Sequence, residues 1–180
     1  MNKFTTDKFW RGDTVGCDAK LAPWLHDYGS LTRRIQQRSN HFAVCKVHSG
    51  LARIALDEST LLGVASQRLA YSREVFLYAD NQPVVFAHSA CAPKHLRGAW
   101  AAVAGLGNQP LGALLFAHPL IKRQPLNYKA LRATHPLYQK AAVVLSNPPS
   151  KLWARRSLFY LHDQPLLVTE VFLPEILRLK

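Results

Sequence analysis

Residues 73–86 read REVFLYADNQPVVF, and residues 155–168 read RRSLFYLHDQPLLV. Each stretch begins with Arg, carries Tyr at its sixth position and Gln-Pro at its tenth and eleventh, and continues in apolar residues. Each is followed by a Pro, Pro93 or Pro174. An apolar run, a short polar break and a second apolar run make the signature of a β-hairpin. The two copies predict two related strand pairs in one sheet, over 67–92 and 152–174.

Around these hairpins the chain gives weaker signals. Residues 1–20 have no periodicity and read as an N-terminal arm, with one domain over 21–180. Ser30 suits the N-cap of a helix through LTRRIQQRS, with Leu31 and Ile35 on one face. Arg33, Arg34 and Arg38 then fall on a solvated face. Residues 41–56 alternate as strand does, with a turn expected at Ser49-Gly50. Residues 57–65 read as a connection. Pro93 starts a helix that Gly105 or Gly107 ends. Residues 117–151 hold Pro119, Pro125, Pro136, Pro148 and Pro149 and give no clear element. Hairpins with helices grouped between them define an α+β fold with a single antiparallel sheet.

Composition narrows the function. At 48% hydrophobic and 19% charged residues, the chain is neither disordered nor membrane-like. Its longest small-apolar stretch, 99–107, is too short to span a bilayer, so no membrane insertion is expected. The N-terminus lacks the apolar core of a signal peptide, which points to the cytoplasm. Cys17, Cys45 and Cys91 show neither disulfide nor zinc spacing, and Cys45 and Cys91 read as buried thiols. The net charge of +12 favours an anionic partner: nucleic acid, an acidic membrane or a small polyanion. The Trp residues do not interleave with the basic ones as a base-stacking platform would, so nucleic acid is not the expected partner.

The informative charges break the strand alternation. Arg73 shares a face with Val75 and Leu77, and Glu170 shares one with Val168 and Phe172. A charge on such a stripe needs a partner. A turn centred on His162-Asp163 sets Arg155 opposite Glu170, and the same register sets Arg73 opposite His88. Two readings stay open on the residues alone, a structural ion pair and a ligand site.

The segments YSREVFLYADNQPVVFAHSACAP, QPLGALLF and WARRSLFYLHDQPLLVTEVFLP, in that order, resemble the chorismate pyruvate-lyase family. PWLHDYGSLTRRIQQRS resembles its N-terminal part, so the likeness covers most of 22–174. The resemblance implies an α+β domain with helical flaps over an internal site. It implies removal of enolpyruvate from chorismate, giving 4-hydroxybenzoate and pyruvate on the way to ubiquinone, with no metal or organic cofactor. It assigns Arg73 to a ring carboxylate, Glu170 to the neighbourhood of the ring hydroxyl, Leu111 to a main-chain contact, and Leu31 to a further contact with the ligand. Leu31 stands where the family has Met. Arg155 or Arg156 is placed by position at the enolpyruvyl carboxylate. Residues 117–151 depart from the family pattern, so a different flap is expected there. A monomer is expected. The same fold serves as the effector-binding domain of some transcription regulators, which leaves ligand binding without turnover as the alternative.

Overall fold

A computed structural model describes residues 10–65 and 67–179. The first nine residues of the expected arm lie outside that range. Seven strands form one antiparallel sheet: β1 (Phe42–Ala52), β2 (Ala70–Ala79), β3 (Gln82–Cys91), β4 (Lys122–Arg123), β5 (Asn127–Arg132), β6 (Lys151–Leu161) and β7 (Gln164–Phe172). Their order is β1-β2-β3-β7-β6-β4, and β5 also pairs with β6. Six short helices accompany them: α1 (Ala22–Leu25), α2 (Leu31–Gln36), α3 (Leu56–Leu62), α4 (Ala101–Ala104), α5 (Leu111–Ala117) and α6 (Pro136–Ala142).

The doubled segments become β2–β3 and β6–β7, lying side by side at the centre. Asp80-Asn81 and His162-Asp163 turn the two hairpins with positive φ at all four residues. That backbone matches the twist of the flanking strands, and Asn and Asp tolerate it better than most residues. The two hairpins differ in register. Arg155 stands opposite Glu170 as expected. Arg73 stands opposite Ser89 rather than His88, because Tyr78 pairs with Pro83 while Leu77 pairs with Val85. Val84 is the extra residue of a β-bulge, and the bulge moves the rest of β3 by one position.

Several local expectations are corrected. The Ser49-Gly50 turn does not form, because the long β2 offers pairing along its whole length; β1 runs through, with Gly50 opposite Ser72. Cys45 is exposed on that edge strand, whereas Cys91 is buried. The connection at 57–65 contains α3, whose first turn is capped when the Glu58 carboxylate accepts the Ala55 N–H. Gly63, at φ 62, ends it. The helix expected after Pro93 splits at Gly98 into a 3-10 turn and α4. Residues 117–151 give β4, β5 and α6, the last capped by the His135 ring.

Alternation along the strands sorts the core onto two faces. On one face lie Trp24, Leu25, Ile35, Val75, Leu77 and Phe172, with a second cluster around Trp100, Leu115 and Leu166. On the other face Trp10, Phe76, Phe86, Tyr138 and Val171 pack together, flanked by Leu62, Ala90 and Leu167. A polar band crosses the four central strands between these clusters. Its odd-numbered β2 member, Arg73, faces the first side, and its neighbour Glu74 faces the second.

On the second side the band is a buried charge network. The His88 Nδ1 lies 3.1 Å from Glu74 and its Nε2 lies 3.3 Å from Glu58. Lys140 adds a cation to Glu74. Burial would depress the His88 pKa, but the Glu58 and Glu74 carboxylates override it and raise it to about 9. Burial would raise Glu74, but its bonds to His88 and Lys140 bring it down to about 2.

The linkage has a definite sign. A His held charged in the folded state stabilises the fold fully below its unfolded pKa, near 6.5, and loses that contribution as pH rises through about 9. Thermal melts should therefore show Tm declining between pH 6.5 and 9.5. His88→Gln should remove most of that alkaline slope; an unchanged slope would place the titration elsewhere.

Candidate functional site

A cavity lies between the first face of the sheet and a roof made by α2 and α5. Its polar floor is Arg73 and Ser89 from the first hairpin and Arg155, Ser157 and Glu170 from the second. Leu31 and Leu111, the first residues of the two roof helices, also line it. Ser30 caps α2 by accepting the Arg33 N–H, and Pro110 fixes the entry to α5. The roof helices meet at Gly112, where a Cβ would lie 3.2 Å from both Ser30 Oγ and Thr32 Oγ1. A side chain there would require the Ser30 and Thr32 hydroxyls to give by a few tenths of an ångström.

Five of the six residues that the sequence places at a site, Arg73, Glu170, Leu31, Leu111 and Arg155, line this one cavity. Arg156 does not. It points to the opposite face, where its Nη1 donates to Asp57 at 2.6 Å. Residues 117–151 do not form a flap as expected; they contribute one sheet edge, and α6 packs on the far face beside β3 and β7.

The charges in the cavity are not equivalent. Arg155 is 1% exposed. Its Nε donates to Glu170 at 2.6 Å, and its Nη1 donates to the carbonyls of Trp24, Leu25 and Asp27. The expected ligand contact of Arg155 therefore competes with a set of internal bonds. Arg73 is 3% exposed and its Nη2 donates to the carbonyls of Gly107 and Gln109, in the loop entering α5. Its Nε is buried and has no hydrogen-bond partner. Burial lowers the Arg73 pKa, yet a guanidinium remains charged at neutral pH. Arg73 is thus a fixed cation with a donor to spare, facing the cavity.

Sequence reasoning missed Arg123. It follows β4's Lys122 at the far end of the floor, and its pKa is also lowered by burial. A two-residue strand among prolines has no alternation to break, so pattern gave no signal. It also missed the Glu58–His88–Glu74 network, because the bulge at Val84 decides which way His88 points.

Arg34 and Arg38, read as a solvated face, lie over the Trp24 ring at 4.2 and 5.8 Å. Arg34 also pairs with Asp27 at 3.0 Å.

A single antiparallel sheet, roofed by short helices over a cavity lined by Arg73, Arg123 and Arg155, defines an α+β domain with an internal pocket. A family model for chorismate lyase matches residues 9–179. A protein of Nitrosospira multiformis described as "probable chorismate pyruvate-lyase" is 52% identical over 171 residues, covering 94% of this chain and 95% of its own. One from Nitrosomonas europaea with the same description is 49% identical over 170 residues, covering 94% and 96%. The chain belongs to the chorismate lyase family.

Solved structures share the fold at low identity. The C-terminal domain of PhnF superposes with a TM-score of 0.58 at 15% identity, over 78% of this chain and 87% of that one. The ligand-binding domain of a GntR-family regulator from Bordetella bronchiseptica gives 0.55 at 15% identity, over 76% and 87%. Among the described residues no helix is long and apolar enough to cross a membrane.

The Arg155–Glu170 pair yields a stability test. Removing one partner of a buried pair costs about 3–5 kcal/mol, since the other is left uncompensated. Arg155→Met should lower unfolding free energy by roughly that amount in urea titration. A loss under about 1 kcal/mol would mean the pair and its three carbonyl bonds do not hold the floor together.

Proposed function

We propose that this protein is a cytoplasmic, monomeric chorismate lyase that converts chorismate to 4-hydroxybenzoate and pyruvate, a step toward ubiquinone, using no metal or organic cofactor. The observation that carries this reading is that Arg73 and Glu170, from different hairpins, converge on one cavity in a chain of the chorismate lyase family.

The chemistry suits the residues. The ether C–O bond to the ring breaks, the ring carbon bearing the hydroxyl loses its hydrogen, and enolpyruvate gains a proton to become pyruvate. The ring becomes aromatic, so much of the driving force lies in the substrate. The protein's task is to orient the side chain against the ring and exclude water. Arg73 suits the ring carboxylate because a planar guanidinium can offer it two parallel hydrogen bonds. Leu31 and Leu111 line the cavity from the two roof helices. Glu170, set by Arg155, is placed to hold the ring hydroxyl or to accept a proton.

Purified protein mixed with chorismate should release 4-hydroxybenzoate and pyruvate in equal amounts. No products, together with a ligand-induced rise in Tm, would replace the lyase by the effector-binding reading. Arg73→Ala should cost about 3 kcal/mol or more of transition-state binding, on the order of a hundredfold in kcat/KM. Wild-type turnover in that variant would remove Arg73 from the site. Glu170→Gln should slow the reaction; an unchanged rate would exclude obligatory proton transfer by Glu170.

A further inference from the structure

The proposed chemistry leaves Arg123 without a task. Its side chain is costly to keep where it is. The guanidinium carbon lies 5.3 Å from the Phe159 ring centroid and 5.6 Å from that of Phe116. The two rings stand at 79° to each other and form a corner behind it. Nη1 donates to the Tyr28 carbonyl at 2.6 Å, in the turn before α2. Nε is buried and has no hydrogen-bond partner, like that of Arg73. A buried guanidinium donor left unpaired is expensive, and a cation so placed is expected to meet an anion.

The charge balance of the cavity says how many anions. Its ionisable lining is three guanidiniums, Arg73, Arg123 and Arg155, against the single carboxylate Glu170. Arg155 and Glu170 neutralise each other across 2.6 Å. Two cations remain, each with a buried unpartnered Nε. They stand at opposite ends of the floor, Arg73 on β2 and Arg123 on β4, with β3, β7 and β6 between. Four strand steps separate the two backbones by about 19 Å, and both side chains line the one cavity. Glu170, on β7, lies between them.

We infer that Arg123 binds the second carboxylate of the substrate, the one on the enolpyruvyl side chain, so that Arg73 and Arg123 together form a two-cation clamp for a dianion. This rests on the chorismate lyase reading. It replaces the expected role of Arg155, whose Nε and Nη1 are engaged by Glu170 and the main chain. The aromatic corner fixes the guanidinium plane, so the fork is oriented before the anion arrives. The clamp also separates substrate from product. Chorismate carries two carboxylates, whereas 4-hydroxybenzoate carries only the one assigned to Arg73. Elimination therefore releases the Arg123 anchor together with pyruvate.

The test separates this inference from the lyase reading. Wild-type turnover of chorismate is measured first and decides the lyase reading alone. Arg123→Gln should then lower kcat/KM by about fiftyfold or more, while competitive inhibition by 4-hydroxybenzoate stays within about threefold of wild type. Arg123→Lys should recover part of the loss. An Arg123→Gln enzyme within threefold of wild type would overturn the clamp. So would an equal loss of 4-hydroxybenzoate affinity, which marks a structural role through the Tyr28 carbonyl. Binding measured with wild-type protein needs neither turnover nor a foldable variant. The dianion 3-(carboxymethoxy)-4-hydroxybenzoate, whose second carboxylate hangs from an ether beside the hydroxyl as in chorismate, should bind at least about tenfold more tightly than the monoanion 4-hydroxy-3-methoxybenzoate. Equal affinities would overturn the clamp.

Discussion

A guanidinium buried to 1% exposure must find acceptors, and Arg155 finds four of them in two parts of the chain. Glu170 is its partner across the hairpin. The carbonyls of Trp24, Leu25 and Asp27 come from the segment that leads into the α2 roof. The pair therefore does more than neutralise charge at the sheet centre. It fixes the Glu170 carboxylate from one side and sets the approach to α2 from the other. Arg73 works in parallel, binding the carbonyls of Gly107 and Gln109 ahead of α5. Each roof helix thus hangs from a buried arginine of the floor. The cost of burying those charges is offset by main-chain acceptors that no apolar side chain could use.

The period of two along a strand gives this fold two polar sites. Successive residues 73 and 74, 88 and 89, 155 and 156, and 169 and 170 send side chains to opposite faces of the same four strands. One face receives Arg73, Ser89, Arg155 and Glu170 around a cavity. The other receives Glu74, His88, Arg156 and Thr169, where acids and bases pair among themselves beneath α3 and α6. The closed network and the open cavity share a backbone, so stiffness in one supports placement in the other.

Much of this was legible in the chain. The duplicated hairpins carry strong local signals: apolar alternation, turn residues that accept positive φ, and prolines at strand ends. The Arg155–Glu170 pairing followed from a regular two-residue turn, and the structure has that register. The Arg73 partner did not, because a bulge is set by the packing of Val84 and Val85 into the core and leaves no mark in composition. Arg123 was illegible for another reason. Its placement depends on where a proline-rich excursion returns to the sheet, and that is decided by β6 rather than by residues 117–126. The likeness to chorismate lyases pointed to Arg73, Glu170, Leu31 and Leu111, and the structure brings all four to one cavity; strand alternation alone could not tell a salt bridge from a ligand site.

The bulge at Val84 has a consequence for how this sequence can vary in length. Deleting one residue from a surface loop usually trims slack. Deleting Val84 would remove the bulge yet leave Val85 opposite Leu77 and Ser89 opposite Arg73, whereas flattening the bulge with Val84 kept would turn His88 toward Arg73 and Ser89 to the far side. An imidazole that two carboxylates keep cationic would then sit against a guanidinium, and Glu58 and Glu74 would lose their shared counter-charge. Both faces would lose their chemistry through a slip of one residue, with no change in composition. At this position the protein's reading frame in space is held by the bulge that absorbs one extra valine.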